Sequence, residues 1–526
     1  MTSILKYLNR ALLVLLLAAF AACSDNEGGN ESNGNGDDGN TETPADGDTY
    51  GYIKDTNGNP VEGVVVSDGY SCTATDAEGR YALTRNADAG FVFYSLPSAY
   101  KVSVDKTYKL PRFFARLQAG TARYDFTLEA LAAPEKRFDL ICIGDPQINE
   151  ASHAVRFKEE AGREIREYAA SAGVPCYGIT LGDHVNNKWT LFTNMVVALQ
   201  PEQTGVPVFA TIGNHDHEFP TADEKAARAK YESYFGPVDY SFNRGDVHVV
   251  SMDNVIHSCK ASADYEGGFT AAQYAWLKQD LSFVPKDKMV ILCVHIPFRG
   301  GWGTNSAHAD ADKYYDEVLD LLSQYEYAAI MSAHTHSNIN YIHQKNGKEI
   351  FEHVTGTTCG AWWRSTVCTE GTPIGFGLYR IDGNRMEEWA YRSVRHDEQF
   401  QIRLYRASDT FVGGAKYRFK QTGADQIVAN IWNWDPSWTV NVYENDVLSG
   451  QMTRNSDIDA WTVAYHIGLL NNTDSYRKSS DHMFHYTLKN PAAAVRVEAI
   501  DRFGNKYEQT VFTDPAEHPG DFHADF

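Results

Sequence analysis

The sequence predicts a central α/β domain with an all-β sandwich domain on each side. Three observations support this. Over residues 132–394, apolar strand-like runs alternate with helical stretches, which is the pattern of a layered α/β domain. Residues 49–131 contain short β-like runs separated by Asn-Gly, Asp-Gly and Glu-Gly turns, and helical periodicity disappears again over residues 395–526. At 526 residues, the chain is also too long for one ordinary core.

The composition is that of a folded globular protein, with 43% hydrophobic and 13% aromatic residues. The formal net charge of -22 would repel phosphate backbones and anionic lipid headgroups. We therefore expect no nucleic-acid partner and no general attraction to an anionic membrane surface.

The first 48 residues predict export rather than a fold. A basic start precedes a short apolar run over residues 11–19, which is too short to span a membrane, and Ala-Ala comes directly before Cys23. We interpret residues 1–23 as a signal peptide. Residues 24–48 are rich in Gly, Asn, Asp and Glu and are interpreted as a disordered tether.

The junction at Cys23 resembles the lipobox of bacterial lipoproteins, and the Ser-Asp-Asn-Glu that follows resembles the acidic surface-export tag of Bacteroidetes lipoproteins. This resemblance implies that Cys23 is acylated and begins the mature protein. The expected location is the cell envelope, with a lipid anchor in the outer membrane and the chain on its periplasmic or surface-exposed face. An ordinary signal peptide followed by a chance cysteine is the alternative.

Potential metal ligands follow five of the predicted strands of the central domain, where catalytic groups of such sheets gather. Carboxylate, amide and imidazole groups together suit first-row transition ions better than calcium. Two such ions about 3.5–4 Å apart can polarise a phosphoryl group and lower the pKa of a water molecule. The segments are Gly144-Asp145-Pro146-Gln147, Gly182-Asp183-His184-Val185-Asn186, Gly213-Asn214-His215-Asp216, His295-Ile296-Pro297 and Ala333-His334-Thr335-His336.

In this order the five segments resemble the signature of the calcineurin-like metallophosphoesterases, which reads D-x-H, G-D-x-x, G-N-H-[DE], H and G-H-x-H. The resemblance implies an αββα metallophosphoesterase sandwich and a two-metal phosphatase or phosphodiesterase. Gln147 stands where the family has His, and Ala333 stands where it has Gly. Because an amide oxygen is a weaker and harder ligand than imidazole, we expect the first metal to be held less tightly.

Carried over residue by residue, the resemblance implies a centre of two divalent or trivalent transition-metal ions, Mn, Zn or Fe. His215 is expected to protonate the leaving oxygen, and Asp216 is expected to orient the ring of His215. The implied ligands are Asp145, Gln147, Asp183 and His336 for the first metal, and Asp183, as the bridge, with Asn214, His295 and His334 for the second.

Three further residues are candidates for substrate binding. Arg299 follows the His295 loop and is either a ligand of a phosphate oxygen or a surface arginine. Trp362 and Trp363 lie on a loop near the ligands and either stack on a sugar or base or fill the core. Asn186 is a candidate to orient Asp183, and Cys359 and Cys368 are placed to form a disulfide in an oxidising compartment.

The flanking stretches carry no catalytic cluster. Residues 49–131 resemble the carboxypeptidase-regulatory-like sandwich, and residues 395–526 resemble the β domain that accompanies this phosphoesterase branch in Bacteroidetes.

The leading hypothesis is an exported, membrane-anchored hydrolase of phosphate esters that acts on a phosphorylated small molecule or glycan. The alternative is a non-catalytic, glycan-binding surface lipoprotein with a degenerate metal centre. Gln147 favours that alternative, whereas the other ligand residues and His215 argue against it.

The lipoprotein hypothesis predicts that the mature protein begins at an acylated Cys23 and fractionates with membranes. The Cys23→Ser variant should be released from membranes or remain unprocessed, because the thiol that carries the lipid is gone. Membrane fractionation and N-terminal mass spectrometry measure both properties. A wild-type protein that is soluble in the periplasm and begins at another residue would contradict the hypothesis.

Overall fold

The computed structural model describes residues 47–262, 264–299, 313–408, 419–420, 422–472 and 476–513. The expected signal peptide, Cys23 and nearly all of the expected tether lie outside these residues. The described part contains two β-rich domains around a central α/β domain, and the predicted fold class is confirmed.

The N-terminal domain is a sandwich of two small sheets. The strand Thr49–Asp55 alternates buried and half-buried residues up to Ile53, and this alternation is what one buried sheet face requires. One sheet has the strand order Arg80–Leu83, Thr49–Asp55, Phe126–Leu128, and the other has the order Cys72–Ala74, Val65–Ser67, Phe91–Tyr94, Phe114–Arg116.

The central domain contains two larger sheets packed face to face. The first sheet has the strand order Val208–Thr211, Cys176–Leu181, Arg137–Ile143, Gly375–Asp382, Arg385–Ser393. The second has the order Tyr240–Arg244, Val247–Ser251, Met289–Cys293, Tyr327–Ser332, Lys348–Val354, Ile339–Lys345. The strands that precede the ligand motifs run parallel to one another within each sheet, so their carboxyl ends share one edge.

Helices cover the outer faces of both sheets. Successive residues of the strand Arg137–Ile143 divide between two cores: Leu140 and Cys142 face the other sheet, and Ile141 and Ile143 face the helices. The helical segments are Ala151–Phe157, the π-helical turn Lys158–Gly162, Arg163–Ser171, Trp189–Leu191, Phe192–Ala198, Pro201–Thr204, Asn214–Asp216, Glu224–Phe235, Ala271–Ser282 and Tyr315–Leu322. A hairpin of Val255–His257 and Tyr265–Gly267 extends from the second sheet.

The C-terminal domain contains two four-stranded sheets. It includes a short helix that was not predicted from the sequence. This helix buries Trp461 and Tyr465 against the first sheet, which explains its position in a β-rich domain. The helical segment is Ala460–Thr462 followed by Val463–Leu469. The strands are Arg403–Arg406, Gln426–Asn430, Met483–Thr487 and Thr453–Arg454 in one sheet, Val447–Gln451, Thr439–Glu444, Val495–Ile500 and Lys506–Gln509 in the other, and the pair Asp457–Ile458 and Ser479–Ser480.

The N-terminal and central domains share one hydrophobic core. Trp276 is fully buried, packs edge-on against Phe93 with ring centroids 6.5 Å apart, and donates a hydrogen bond of 3.0 Å to the Ser67 hydroxyl. Arg244 is also fully buried and donates to the carbonyl oxygens of Pro97 and Tyr100. We therefore expect the two domains to unfold together.

Two smaller findings concern the membrane and the cysteines. Within the described residues, each helix is too short or too polar to cross a bilayer. Cys359 and Cys368 are free thiols, and each contacts the hydroxyl of Thr357. The expected disulfide between them is therefore not formed in this structure.

Truncating Trp276 to alanine should destabilise both domains at once. Loss of a fully buried indole typically costs about 3–5 kcal/mol. Denaturant unfolding, followed by fluorescence and far-UV circular dichroism, should show one shifted transition. Phe283→Ala at the end of the same helix is the control, because Phe283 is 42% exposed and its loss should change stability by less than about 0.5 kcal/mol. A separate, unshifted transition of the N-terminal domain would contradict the shared core.

Candidate metal centre

The ligand motifs lie at the shared edge where the two sheets of the central domain end. Asp183 comes two residues after the strand Cys176–Leu181 of the first sheet, and His295 comes two residues after Met289–Cys293 of the second. The Asp183 carboxylate lies 3.3 Å from Nε2 of His295, so the two sheets meet at this pair. Both side chains are buried.

Two groups of potential ligand atoms share Asp183. In each group the ligand atoms lie within 4.8 Å of one another, and all the residues are buried. Asn214 adds a carbonyl oxygen 2.9 Å from Nε2 of His295. Gln147 contacts Asp183 as well, since its amide nitrogen donates a hydrogen bond of 3.0 Å to the Asp183 carboxylate. The groups are Asp183, His295 and His334, and Asp145, Asp183 and His336.

The structure thus brings all seven of the expected ligand residues together. Three of their buried polar atoms have no hydrogen-bond partner among the described residues: Oδ1 of Asp145, Oε1 of Gln147 and Nδ1 of His336. In addition, Nδ1 of His334 faces Nε2 of His295 at 3.1 Å. Buried polar atoms without partners are costly, and a cation at their centre would satisfy them. The donor set of carboxylate, amide and imidazole therefore fits divalent metal ions.

The backbone of the ligand loops is unusual. Five of the seven ligand residues have positive φ angles, a left-handed conformation that costs an ordinary residue about 1–3 kcal/mol. The residues are Asp145, Gln147, Asp183, His334 and His336, with φ of 39°, 37°, 51°, 65° and 56°.

Glycines let these loops approach one another. Gly182 has a φ of 94°, and a Cβ atom there would lie 2.4 Å from Nδ1 of the His295 ring. At Gly213, a Cβ atom would lie 2.2 Å from the backbone nitrogen of Asp183. The glycines that precede Asp183 and Asn214 are therefore required by the close packing of these loops.

Burial and charge act in opposite directions on the acids of the site. Burial raises the pKa of Asp145 well above its ordinary value, and the imidazole of His295 opposes the shift. Burial also acts to raise the pKa of Asp183, but the imidazoles of His295 and His215 lower it overall. A cation bound between these carboxylates would favour the ionised form of both.

The pKa values of the three clustered histidines are shifted in different directions. Burial acts to lower the pKa of His295, but Asp183 raises it to about 9. Burial, and then the charge of His295, lowers the pKa of His334 well below its usual value. Burial lowers the pKa of His336 to about 3, although Asp183 opposes the shift. A neutral imidazole is the form that binds a metal ion.

His215 lies beside the ligands, and its ring is held by a residue that the sequence analysis missed. Its backbone amide donates to Asp183 over 2.9 Å, and its Nδ1 lies 2.8 Å from Oδ1 of Asn187. Asn187 in turn donates to the hydroxyl of Ser262 over 2.9 Å. The neighbouring Asn186, which was expected to orient Asp183, has a described contact only through its backbone amide to Ile148.

The expectation that Asp216 orients the ring of His215 is corrected. The Asp216 carboxylate accepts hydrogen bonds from three backbone amides, including those of His184 and Gly213, whereas Nδ1 of His215 is paired with Asn187. The carboxylate also lies 2.9 Å from Nδ1 of the buried His184 ring. Asp216 therefore fixes the Asp183 loop to the Asn214 loop.

Further buried polar groups brace the ligand loops from behind. His217 lies 2.9 Å from the carbonyl oxygen of Gly213 and 3.1 Å from Asp253. The side-chain carbonyl of Asn254 accepts hydrogen bonds from the backbone amides of His295 and Ile296. Asp253 and Asn254 follow a strand of the second sheet. Asn254 holds the His295 loop directly, and Asp253 braces the Asn214 loop through His217.

The three candidate substrate residues have different surroundings. The Trp362 ring is partly exposed and lies 4.9 Å from the His336 ring. Trp363 is buried and donates to the carbonyl oxygen of Pro146, so it supports the first ligand loop and is not free to stack on a substrate. Arg299 is exposed and lies over the ring of Tyr341. Tyr265, which the sequence analysis did not select, places its hydroxyl 3.4 Å from Nε2 of His334.

Comparison with known proteins identified several relatives. Purple acid phosphatase 23 of Arabidopsis thaliana is 26% identical over 181 residues, which are 31% of this chain and 36% of that protein. Purple acid phosphatase 18 of the same plant is 25% identical over 182 residues, 32% of this chain and 38% of that protein. The alignments thus span little more than a third of these relatives. The crystal structure of a 5′-nucleotidase precursor from Thermus thermophilus matches 49% of this chain and 54% of its own, at 10% identity and a TM-score of 0.30.

Three family models match successive parts of the chain. The model of the calcineurin-like phosphoesterases matches residues 124–338, which contain all the ligand motifs. The models for the N terminal and the C terminal of calcineurin-like phosphoesterase match residues 48–131 and 352–507. The matches follow one another from the N-terminal sandwich to the C-terminal domain, and the chain belongs to the calcineurin-like phosphoesterase family.

Proposed function

We propose that this protein hydrolyses phosphate esters with two transition-metal ions held by the seven clustered residues. The observation that carries the proposal is the pair of buried ligand groups that share Asp183. A shared carboxylate between two groups is the arrangement that a two-metal site requires. The family membership and the similarity to plant purple acid phosphatases support phosphate ester chemistry.

The proposed centre uses Asp145, Gln147 and His336 on one side of Asp183 and Asn214, His295 and His334 on the other. Two bound ions would neutralise charge on the phosphoryl oxygens and lower the pKa of the attacking water. The buried carboxylates would hold the ions at the sheet edge, and the braced loops keep the side chains in place before substrate arrives.

His215 is the proposed proton donor to the leaving oxygen. Imidazole is the side chain most often used for proton transfer near neutral pH. Its position is fixed at two points, since the backbone amide bonds to Asp183 and the ring bonds to Asn187. With Nδ1 directed at the Asn187 carbonyl, Nε2 is the nitrogen left to transfer a proton. Asn187 therefore acts as a positioning residue.

The proposed substrates are phosphorylated small molecules or glycans, either monoesters or diesters. We also propose that the enzyme works in the cell envelope, anchored through a lipid on Cys23. The support for this location is the sequence of the first 27 residues.

Purified protein supplied with Mn²⁺ or Zn²⁺ should retain about two ions per chain after dialysis. Asp183→Asn keeps the side-chain shape but removes the shared charge, so most of both ions and nearly all activity should be lost. Elemental analysis by mass spectrometry measures the ions. The matched control is Asp139→Asn at the opposite end of the adjacent strand, where the buried carboxylate accepts a hydrogen bond from Tyr168. A wild-type protein that retained no metal would instead favour the non-catalytic alternative.

His215→Ala should keep both ions and lose activity according to the leaving group. Loss of a general acid costs about 10²–10⁴-fold in rate, so we expect a loss of this size on alkyl phosphates. The loss on nitrophenyl phosphate should be much smaller, because nitrophenolate leaves without a proton. Steady-state rates on both substrates make the comparison.

Asn187→Ala should show the same leaving-group pattern as His215→Ala, but with a smaller loss, because the imidazole remains without its orienting bond. Asn186→Ala is the control, since the described contact of Asn186 runs through its backbone. Equal losses on both substrates would assign His215 to phosphate binding. Loss of metal in the His215 variant would make His215 a ligand and refute the assignment.

A further inference from the structure

A segment of the C-terminal domain reaches the candidate metal centre. The ring of Tyr476 packs edge-on against Trp362 with centroids 5.6 Å apart, and Trp362 lies 4.9 Å from the ring of the ligand residue His336. Lys478, two residues further along, lies close enough to His336 for its charge to help lower the pKa of that imidazole. Residues from two domains therefore line one side of the centre.

This segment is fixed to the central domain by direct contacts. His466 lies 2.7 Å from the carbonyl oxygen of Tyr476 and 2.6 Å from the hydroxyl of Ser365. The guanidinium of Arg364 lies over the Tyr476 ring at 5.3 Å. The backbone amide of Lys478 donates to the carbonyl oxygen of Thr369 over 2.8 Å. Tyr476 and Lys478 are thus held in a defined position beside the centre.

Trp362 occupies its position at a conformational cost. Both Trp362 and Trp363 have positive φ angles, 52° and 66°, which is rare for bulky residues and occurs mainly at functional sites. Trp363 is buried beneath the first ligand loop, where its indole bonds to Pro146. That anchor leaves the ring of Trp362 partly exposed next to His336. A partly exposed aromatic ring at a metal centre is suited to stacking on a flat group of a substrate.

Lys478 contributes a positive charge in a chain with a net charge of -22. Burial lowers the pKa of Lys478 to about 8, with the charge of Glu370 opposing the shift. An ammonium group that is partly removed from water interacts more strongly with an anion than one on the open surface. This position therefore suits an anionic substrate group.

We propose that Trp362, Tyr476 and Lys478 form a substrate subsite that takes a phosphate ester bearing a ring and a second anionic group. Trp362, supported by Tyr476, stacks on the ring, and Lys478 binds the second anion. The substrate class would be bisphosphorylated sugars or nucleosides, or similar ring compounds with two acidic groups. This inference rests on the proposed function, since it assumes that the adjacent metal centre receives the scissile phosphate.

The test compares three probes that differ in one feature at a time. Adenosine 3′,5′-bisphosphate has a ring and a second charge, adenosine 5′-monophosphate has the ring alone, and glycerol 2-phosphate has neither. Calorimetric titration of the metal-loaded protein measures Kd, and phosphate release in parallel measures KM and kcat. The variants are Lys478→Met, Lys478→Arg and Trp362→Ala, with Lys506→Met as a control lysine in the same domain, which pairs with Glu498 at the surface.

Lys478→Met should weaken binding of the bisphosphate by about 10- to 100-fold and change binding of the other two probes by less than about 2-fold. Lys478→Arg should restore most of the lost affinity. Trp362→Ala should weaken both adenosine compounds by about 5-fold or more and leave glycerol 2-phosphate unchanged. Lys506→Met should behave as wild type with all three.

Two results would overturn the subsite. Equal losses on all three probes in Lys478→Met would place Lys478 on the scissile phosphate, and wild-type binding in both Lys478→Met and Trp362→Ala would show that neither residue contacts substrate. Binding that depends on Lys478 without any turnover would support the subsite and refute the proposed function. Turnover of all three probes without dependence on Lys478 would support the proposed function and refute the subsite. The two proposals can therefore fail separately.

Discussion

The contact between Asp183 and His295 is the interaction on which the rest of the centre depends. Each residue comes from the end of a strand in a different sheet, and both are buried at the line where the sheets meet. Asp183 also receives the amide of Gln147 and the backbone of His215. Because one carboxylate faces both ligand groups, any shift of one sheet against the other would disturb both groups at once. The hydrophobic core that the two sheets share opposes such a shift.

The flanking domains act on this arrangement in different ways. The N-terminal sandwich lies against the second sheet and shares its hydrophobic core, so it supports the scaffold and contributes no potential ligand among the described residues. The C-terminal domain brings Tyr476 and Lys478 close to Trp362 and His336. With the proposed subsite, support of the scaffold and selection of the substrate would fall to opposite ends of one chain.

The ligand positions could be predicted from sequence because each is a local unit of strand, small residue and ligand. The partner of His215 could not, because the choice between Asp216 and Asn187 depends on how two loops turn. A φ of 55° directs Asn187 towards the ring, whereas Asp216 is bonded to backbone amides. The strands Gly375–Asp382 and Arg385–Ser393 were also missed, since glycines and charged residues conceal their alternation. Lys478 lies far along the chain from any motif, so no local pattern marks it.

The close approach of Gly182 and Gly213 separates two properties that metal sites often combine. The loops that carry Asp183 and Asn214 touch through their main chains, and Asp216 ties them together. The spacing between the two halves of the centre is therefore set by main-chain packing. In the proposed centre, the preference for one ion over another would be set by side chains such as Gln147, which can change without moving the loops. A scaffold of this kind can exchange one metal for another over evolutionary time while keeping the same geometry for the phosphoryl group.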